Sequence, residues 1–76
     1  MSVMYHVVVK DWDNFGSIWD DFYCPECLEP YVFQHHWLEV ICCVEITPKY
    51  LSRLYPPLVN EPTCRICGEI YRHLAD

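Results

Sequence analysis

Hydrophobic and polar positions alternate most cleanly between Trp37 and Ile46. Leu38, Val40, Cys42, Val44 and Ile46 fall on one side of that run; Trp37, Glu39, Ile41, Cys43 and Glu45 fall on the other. A period of two predicts a half-buried β-strand with one wholly apolar face. Adjacent strand residues point to opposite faces, so Cys42 is expected as a buried core thiol and Cys43 as its neighbour among the acids. Residues 3–9 also read as a strand. Val3, Tyr5, Val7 and Val9 alternate with Met4, His6 and Val8, and both sets are largely apolar. A third, shorter strand is expected at Tyr31–Phe33, interrupted by Gln34-His35-His36. The period then changes. Thr47-Pro48 supplies an N-cap hydroxyl and a proline at the first helical position. Tyr50, Leu51, Leu54 and Tyr55 follow on one helical face, and Pro56-Pro57 stops the run. One short helix is therefore expected at about 47–55, and a stiff extended linker over 56–63.

The segment Asp11–Tyr23 is dense in aromatics and aspartates. Trp12, Phe15, Trp19 and Phe22 recur at steps of three, four and three, the spacing of one helical face, although Gly16 interrupts it. Two roles are open for these rings. They can be the core of a small protein, or an aromatic patch rimmed by acids, which is a usual interface composition. On the second reading, Trp12, Asp13, Phe15, Trp19, Asp20 and Asp21 are the partner-binding residues.

Cysteine spacing changes the picture most. Cys24-Pro25-Glu26-Cys27 and Cys64-Arg65-Ile66-Cys67 each place two thiols where one tight turn can aim both at a single point. Two such turns together make the tetrahedral four-thiolate cage that a structural zinc ion prefers. Cys24, Cys27, Cys64 and Cys67 are the expected ligands of one Zn2+. His35 or His36 could replace one cysteine, and His6 is either a further ligand or a polar residue on a strand face. A chain of 76 residues buries too little surface for a robust core, so a metal staple is expected on stability grounds as well. The opening residues have neither a basic region nor a long apolar run. A secretory leader is therefore not expected, and the thiols are read in a reducing, cytoplasmic setting. No stretch approaches the roughly 18–20 apolar residues of a membrane span.

Cys64-Arg65-Ile66-Cys67-Gly68-Glu69-Ile70-Tyr71 resembles the rubredoxin-type knuckle, and Cys24-Pro25-Glu26-Cys27 resembles its partner in zinc-ribbon proteins. The resemblance covers about a dozen residues. It implies a small α+β metal-stabilised domain, residues 1–76, in which a zinc-ribbon-like antiparallel sheet with one short helix carries two Cys knuckles. It also implies ligand roles for the four cysteines and no catalytic residue. Two departures argue against an iron electron carrier, the alternative that the same resemblance raises. Leu28 stands where a knuckle glycine is common, and would strain a left-handed turn there. The order of the two turns is also the reverse of that in rubredoxin.

The formal net charge is −6, and Lys10 is the single base among residues 1–47, which hold eight acids. Such a chain is repelled by phosphate backbones and favours a basic protein surface. The expected function is therefore protein–protein interaction, as an inhibitor, adaptor or accessory subunit of a larger, nucleic-acid-handling partner. The size and aromatic density are compatible with phage or mobile-element origin. Direct nucleic-acid contact through Lys49, Arg53, Arg65 and Arg72 is the weaker alternative, and a homodimer is open. A closed four-cysteine site leaves no position for water, and no glycine-rich phosphate loop or nucleophile–base pairing is present. No enzyme is expected.

Overall fold

The computed structural model describes residues 3–54 and 61–71. Its centre is a three-stranded antiparallel sheet of β1 (Tyr5–Asp11), β2 (Ser17–Tyr23) and β3 (Leu38–Glu45), in the order β2-β1-β3. The strand with apolar residues on both faces takes the middle. Val7 and Val9 are fully buried on one side of β1, and His6 and Val8 are half-buried on the other. Together with a helix at Pro48–Ser52 and a cluster of four cysteines, this is consistent with a small metal-stabilised α+β domain.

The expected helical face of aromatics is not formed. Trp12–Asn14 is one 3-10 turn, and Ser17–Tyr23 is strand. Val-rich β1 offers β2 a pairing partner, which the β-forming residues Ile18, Trp19, Phe22 and Tyr23 take up. The loop between them closes with Gly16 N–H donating to the Asp11 carbonyl at 2.9 Å and Asp13 N–H donating to the Asp11 carboxylate at 3.1 Å. Phe15 and Gly16 both adopt positive φ, 58° and 75°. In the strand the period is two, so Trp19, Asp21 and Tyr23 share one face, and Ile18, Asp20 and Phe22 share the other.

β3 also departs from simple alternation. Its register with β1 steps from Val8↔Cys42 to Val9↔Val40, which leaves Ile41 as an extra residue in a β-bulge. The bulge reverses the parity of the strand. Leu38 and Val40 pack with Val7 and Val9, whereas Ile46 lies on the opposite face with Met4. The single apolar face read from the sequence is thus shared between two cores. Cys42 pairs with Val8 beyond the covered end of its face and is exposed, not a buried core thiol.

The two cores lie on opposite faces of the sheet. One holds Val7, Val9 and Tyr23 of the sheet against Leu28 and Val32. Those last two come from α1 (Pro25–Leu28) and a π-type turn (Glu29–Phe33) that Gln34 N–H closes onto the Glu29 carbonyl at 3.0 Å. Tyr31–Phe33 is therefore not a strand. Pro30 has no N–H to give to a ladder, and the turn turns Val32 inward, where it is fully buried. The other core gathers Met4, Ile46, Tyr71 and three cysteines, with Phe22, Tyr50 and Leu51 packed against them. Tyr50 and Leu51 come from α2 (Pro48–Ser52), whose first turn is capped as expected by Thr47 Oγ1 accepting from Tyr50 N–H at 3.1 Å. Tyr55 and residues 56–60 of the expected linker lie outside the described residues. Among the described residues no helix is long and apolar enough to cross a membrane.

Candidate metal centre

Cys24 follows β2 directly as the N-cap of α1, and Pro25 at the first helical position turns the chain into α1, which carries Cys27. The Cys27 and Leu28 amides both donate to the Cys24 carbonyl at 3.1 Å. Leu28 continues that helical turn with φ −61° and ψ −50°, so no left-handed residue follows Cys27 and the strain expected at Leu28 does not arise.

The second turn is built differently. Cys64 N–H donates to the Glu69 carbonyl at 2.8 Å, and Gly68 N–H donates to the Cys64 carbonyl at 3.0 Å. Thr63 bridges Ile70 in antiparallel fashion, and Tyr71 N–H reaches the Pro62 carbonyl at 2.8 Å. The residues after this turn thus contribute one bridge of a miniature hairpin, and Arg72 lies outside the described residues. Gly68 has φ +80°, and nothing lies within 4 Å of where a Cβ would stand. Glycine is needed there for its backbone conformation, not for lack of space.

The hairpin is fastened to β2. Arg65 N–H donates to the Phe22 carbonyl at 2.9 Å, its Nη1 lies 2.7 Å from Asp21 Oδ2, and its guanidinium sits 5.6 Å from the Trp19 ring centre. This anchorage carries Cys64 and Cys67 to Cys24 and Cys27. The four sulfurs all lie within 4.8 Å of one another, and Cys24 and Cys67 are 3.6 Å apart. A zinc–sulfur bond of about 2.3 Å in tetrahedral geometry places sulfurs about 3.8 Å apart, so the cluster has the dimensions of a tetrathiolate site. Cys24, Cys27 and Cys64 are buried and Cys67 is exposed. No cysteine is in a disulfide.

Electrostatics favour a cation here. Burial pushes the Cys24 and Cys27 thiols up, and the neighbouring thiols push Cys27 further in the same direction. Cys64 goes the other way, to about 7. Burial opposes this, but the backbone amides of Cys67, Cys24 and Ile66 hydrogen-bond its sulfur and favour the thiolate. A buried thiolate beside three more sulfurs is poorly solvated, and a divalent cation relieves that.

Among the described residues no histidine joins the cluster. His6 is held between Asp20 Oδ2, 2.7 Å from Nε2, and the Tyr50 hydroxyl, 2.6 Å from Nδ1, and stacks on Phe22 at 5.0 Å. His35 and His36 both lie edge-on to Trp37. Sequence spacing carried no sign of the His6–Asp20–Tyr50 chain, of the Arg65–Asp21 pair or of the bulge, because each joins elements distant in the chain.

The hairpin separates the six expected partner-binding residues. Trp12, Asp13 and Phe15 lie in its loop. Asp20 shares a face with Ile18 and is engaged by His6, while Trp19 and Asp21 face the other side and meet Arg65. Trp12 folds toward the Ile18 face, with Lys10 Nζ 4.2 Å from its ring centre and its Nε1 donating to Glu39 Oε1 at 3.0 Å. Comparison with known protein families, with characterised proteins and with solved structures finds no significant match. The reading of the site therefore rests on its own chemistry.

Proposed function

We propose that this chain is a small zinc-binding interaction protein that docks on a basic surface of a larger partner and acts there as an inhibitor, adaptor or accessory subunit. The observation that carries this reading is at the hairpin tip. Phe15 is 100% exposed, beside Trp12 at 56% and Ile18 at 63%. A phenylalanine in the left-handed region is strained, and one with no burial gains nothing from the fold. A large ring kept there is best accounted for by a contact outside the chain. Asp13 is exposed in the same loop, and Asp20 and Glu39 are exposed on the sheet face that carries Ile18, which suits a partner rich in lysine and arginine, as nucleic-acid-handling proteins are. On this reading the four-sulfur site is structural and takes no part in chemistry, because a closed tetrathiolate leaves no position for substrate.

The test is affinity capture from the native source by the zinc-loaded chain and by a Trp12→Ala, Phe15→Ser, Ile18→Ser variant. The reading expects one basic partner that the variant fails to retain while its circular dichroism and zinc content are unchanged. Equal retention by the folded variant would remove it. The same sulfur cluster would also hold iron, as in an electron carrier. Iron(III) tetrathiolate absorbs visible light and zinc does not, so the spectrum of the chain purified from its source decides between them.

A further inference from the structure

We propose that the outer edge of β3 accepts an extended basic segment of the partner as a fourth strand of the sheet. This deepens the reading above and rests on it, since it states how the partner is held. Strand order leaves β3 with one neighbour, and among the described residues no backbone hydrogen bond other than those to β1 engages residues 39–45. An open strand edge presents alternate N–H and C=O groups, which is a template for another strand. The opposite edge is less open. The second cysteine turn bonds to the Phe22 carbonyl of β2, and Asp20 and Asp21 occupy its middle. β3 contains neither lysine nor proline; its edge is guarded by the bulge at Ile41 and by the negative charge of Glu39 and Glu45, which a basic segment offsets.

Charge selects the occupant. Glu39 and Glu45 are exposed and flank the run Val40–Val44, and no base lies on the strand. The bulge puts Glu39 and Glu45 on different faces, across from β1 residues five apart (Lys10 and Tyr5), so a segment with lysine or arginine at two positions five apart, and β-branched residues between them, matches that pattern. A second copy of this chain matches it poorly. Two antiparallel copies would bring four glutamates to one seam with no base on either strand, and each copy carries a net charge of −6. The edge is also continuous with the exposed patch. Ile41 is 50% exposed, and Cys42 pairs across Val8 on the face that carries Ile18. A strand added to β3 would therefore run beside Glu39, which Trp12 already reaches, with Ile18 across the sheet on β2.

The probe is the synthetic peptide Lys-Val-Thr-Val-Thr-Lys, its lysines five apart, titrated into the full zinc-loaded, nitrogen-15-labelled chain. Fluorescence anisotropy gives affinity, and amide shifts with hydrogen exchange give location. The expected result is binding with slowed exchange across β3. N-methylation of alternate peptide amides should weaken it about tenfold or more, since backbone pairing is the main contact. A peptide with glutamate at both ends should not bind the native chain, and the Glu39→Lys, Glu45→Lys variant should reverse the preference. The N-methylated peptide keeps the test decisive should that variant fail to fold. Equal binding by the N-methylated peptide overturns the proposal. Shifts confined to Trp12, Phe15 and Ile18 overturn it while leaving the interaction surface standing. No binding of any lysine peptide at millimolar concentration removes both readings. Concentration-dependent protection of β3 without peptide assigns the edge to a second copy and also overturns it.

Discussion

Phe15 is the residue at which stability and function are expected to separate. Its backbone sits at φ 58° and ψ 29°, and its side chain is wholly exposed. The left-handed region costs a β-carbon-bearing residue about 1–2 kcal/mol, and asparagine recovers part of this because its short amide tolerates that region. No burial is lost in exchange, so Phe15→Asn should stabilise the fold by about 0.5–1 kcal/mol. In a domain of this size, 1 kcal/mol moves the melting temperature by roughly 4–8 °C, so a rise of several degrees is expected. Differential scanning calorimetry at one fixed, saturating zinc concentration reads it, since free metal shifts the midpoint by mass action. The same variant should lose partner capture. A lower melting temperature would show that Phe15 contributes contacts to the fold, and the argument that its exposure serves a partner would fall.

Four further outcomes follow from the geometry. Strong chelation should unfold the chain, because a structural zinc contributes about 10–16 kcal/mol against a total stability of about 5–15 kcal/mol; near-ultraviolet circular dichroism that survives chelation would contradict this. Gly68→Ala, at φ +80°, should lower stability by about 1 kcal/mol through backbone strain alone, read as a melting-temperature fall at fixed zinc. Arg65→Ala removes a partly exposed ion pair with Asp21 and should change stability by less than about 1 kcal/mol, leaving zinc stoichiometry at one per chain by atomic absorption. Tyr23 is buried, and burial, with Asp21 adding to it, raises its hydroxyl above the ordinary value of 10.0. The folded state therefore holds this proton more tightly than the unfolded one. Its contribution is fully present below pH about 10 and is lost as pH rises through the raised value, so Tyr23→Phe should move alkaline unfolding, followed by circular dichroism, to higher pH.

What could be read from the residues alone was local. The cysteine pairs and the capped turn at Thr47-Pro48 follow from short-range rules, and the structure shows each. Strands at 5–11 and 38–45 followed from β-forming runs. What failed depended on partners far along the chain. The spacing of Trp12, Phe15, Trp19 and Phe22 fits a helix as well as it fits noise in a strand, and pairing with β1 decided between them. Val32 turned inward because the sheet face over Val7 and Val9 needed a cover, which no property of Tyr31-Val32-Phe33 announces. The bulge at Ile41 was hidden for the same reason. A perfect alternation in sequence assumes a perfect ladder, and one extra residue exchanges the faces on either side of it.

That exchange explains how so short a chain can leave one end of its sheet open. With regular alternation, Leu38, Val40, Cys42, Val44 and Ile46 would all demand cover on one face, and the opposite face would lack an apolar contribution from β3. The bulge sends Leu38 and Val40 to the core under Val32, and Ile46 to the core around the cysteines. Among the described residues, the Ile18 face is then sealed near Met4 alone, where α2 and the cysteine turns sit, and Val8, Ile18 and Cys42 lie toward its open end. A metal ion held by the four sulfurs would concentrate stability at the sealed end. Strain at Phe15 and apolar exposure at Trp12 and Ile18, which would endanger a core of this size standing alone, can persist at the other end because the sulfur cluster holds the sheet together.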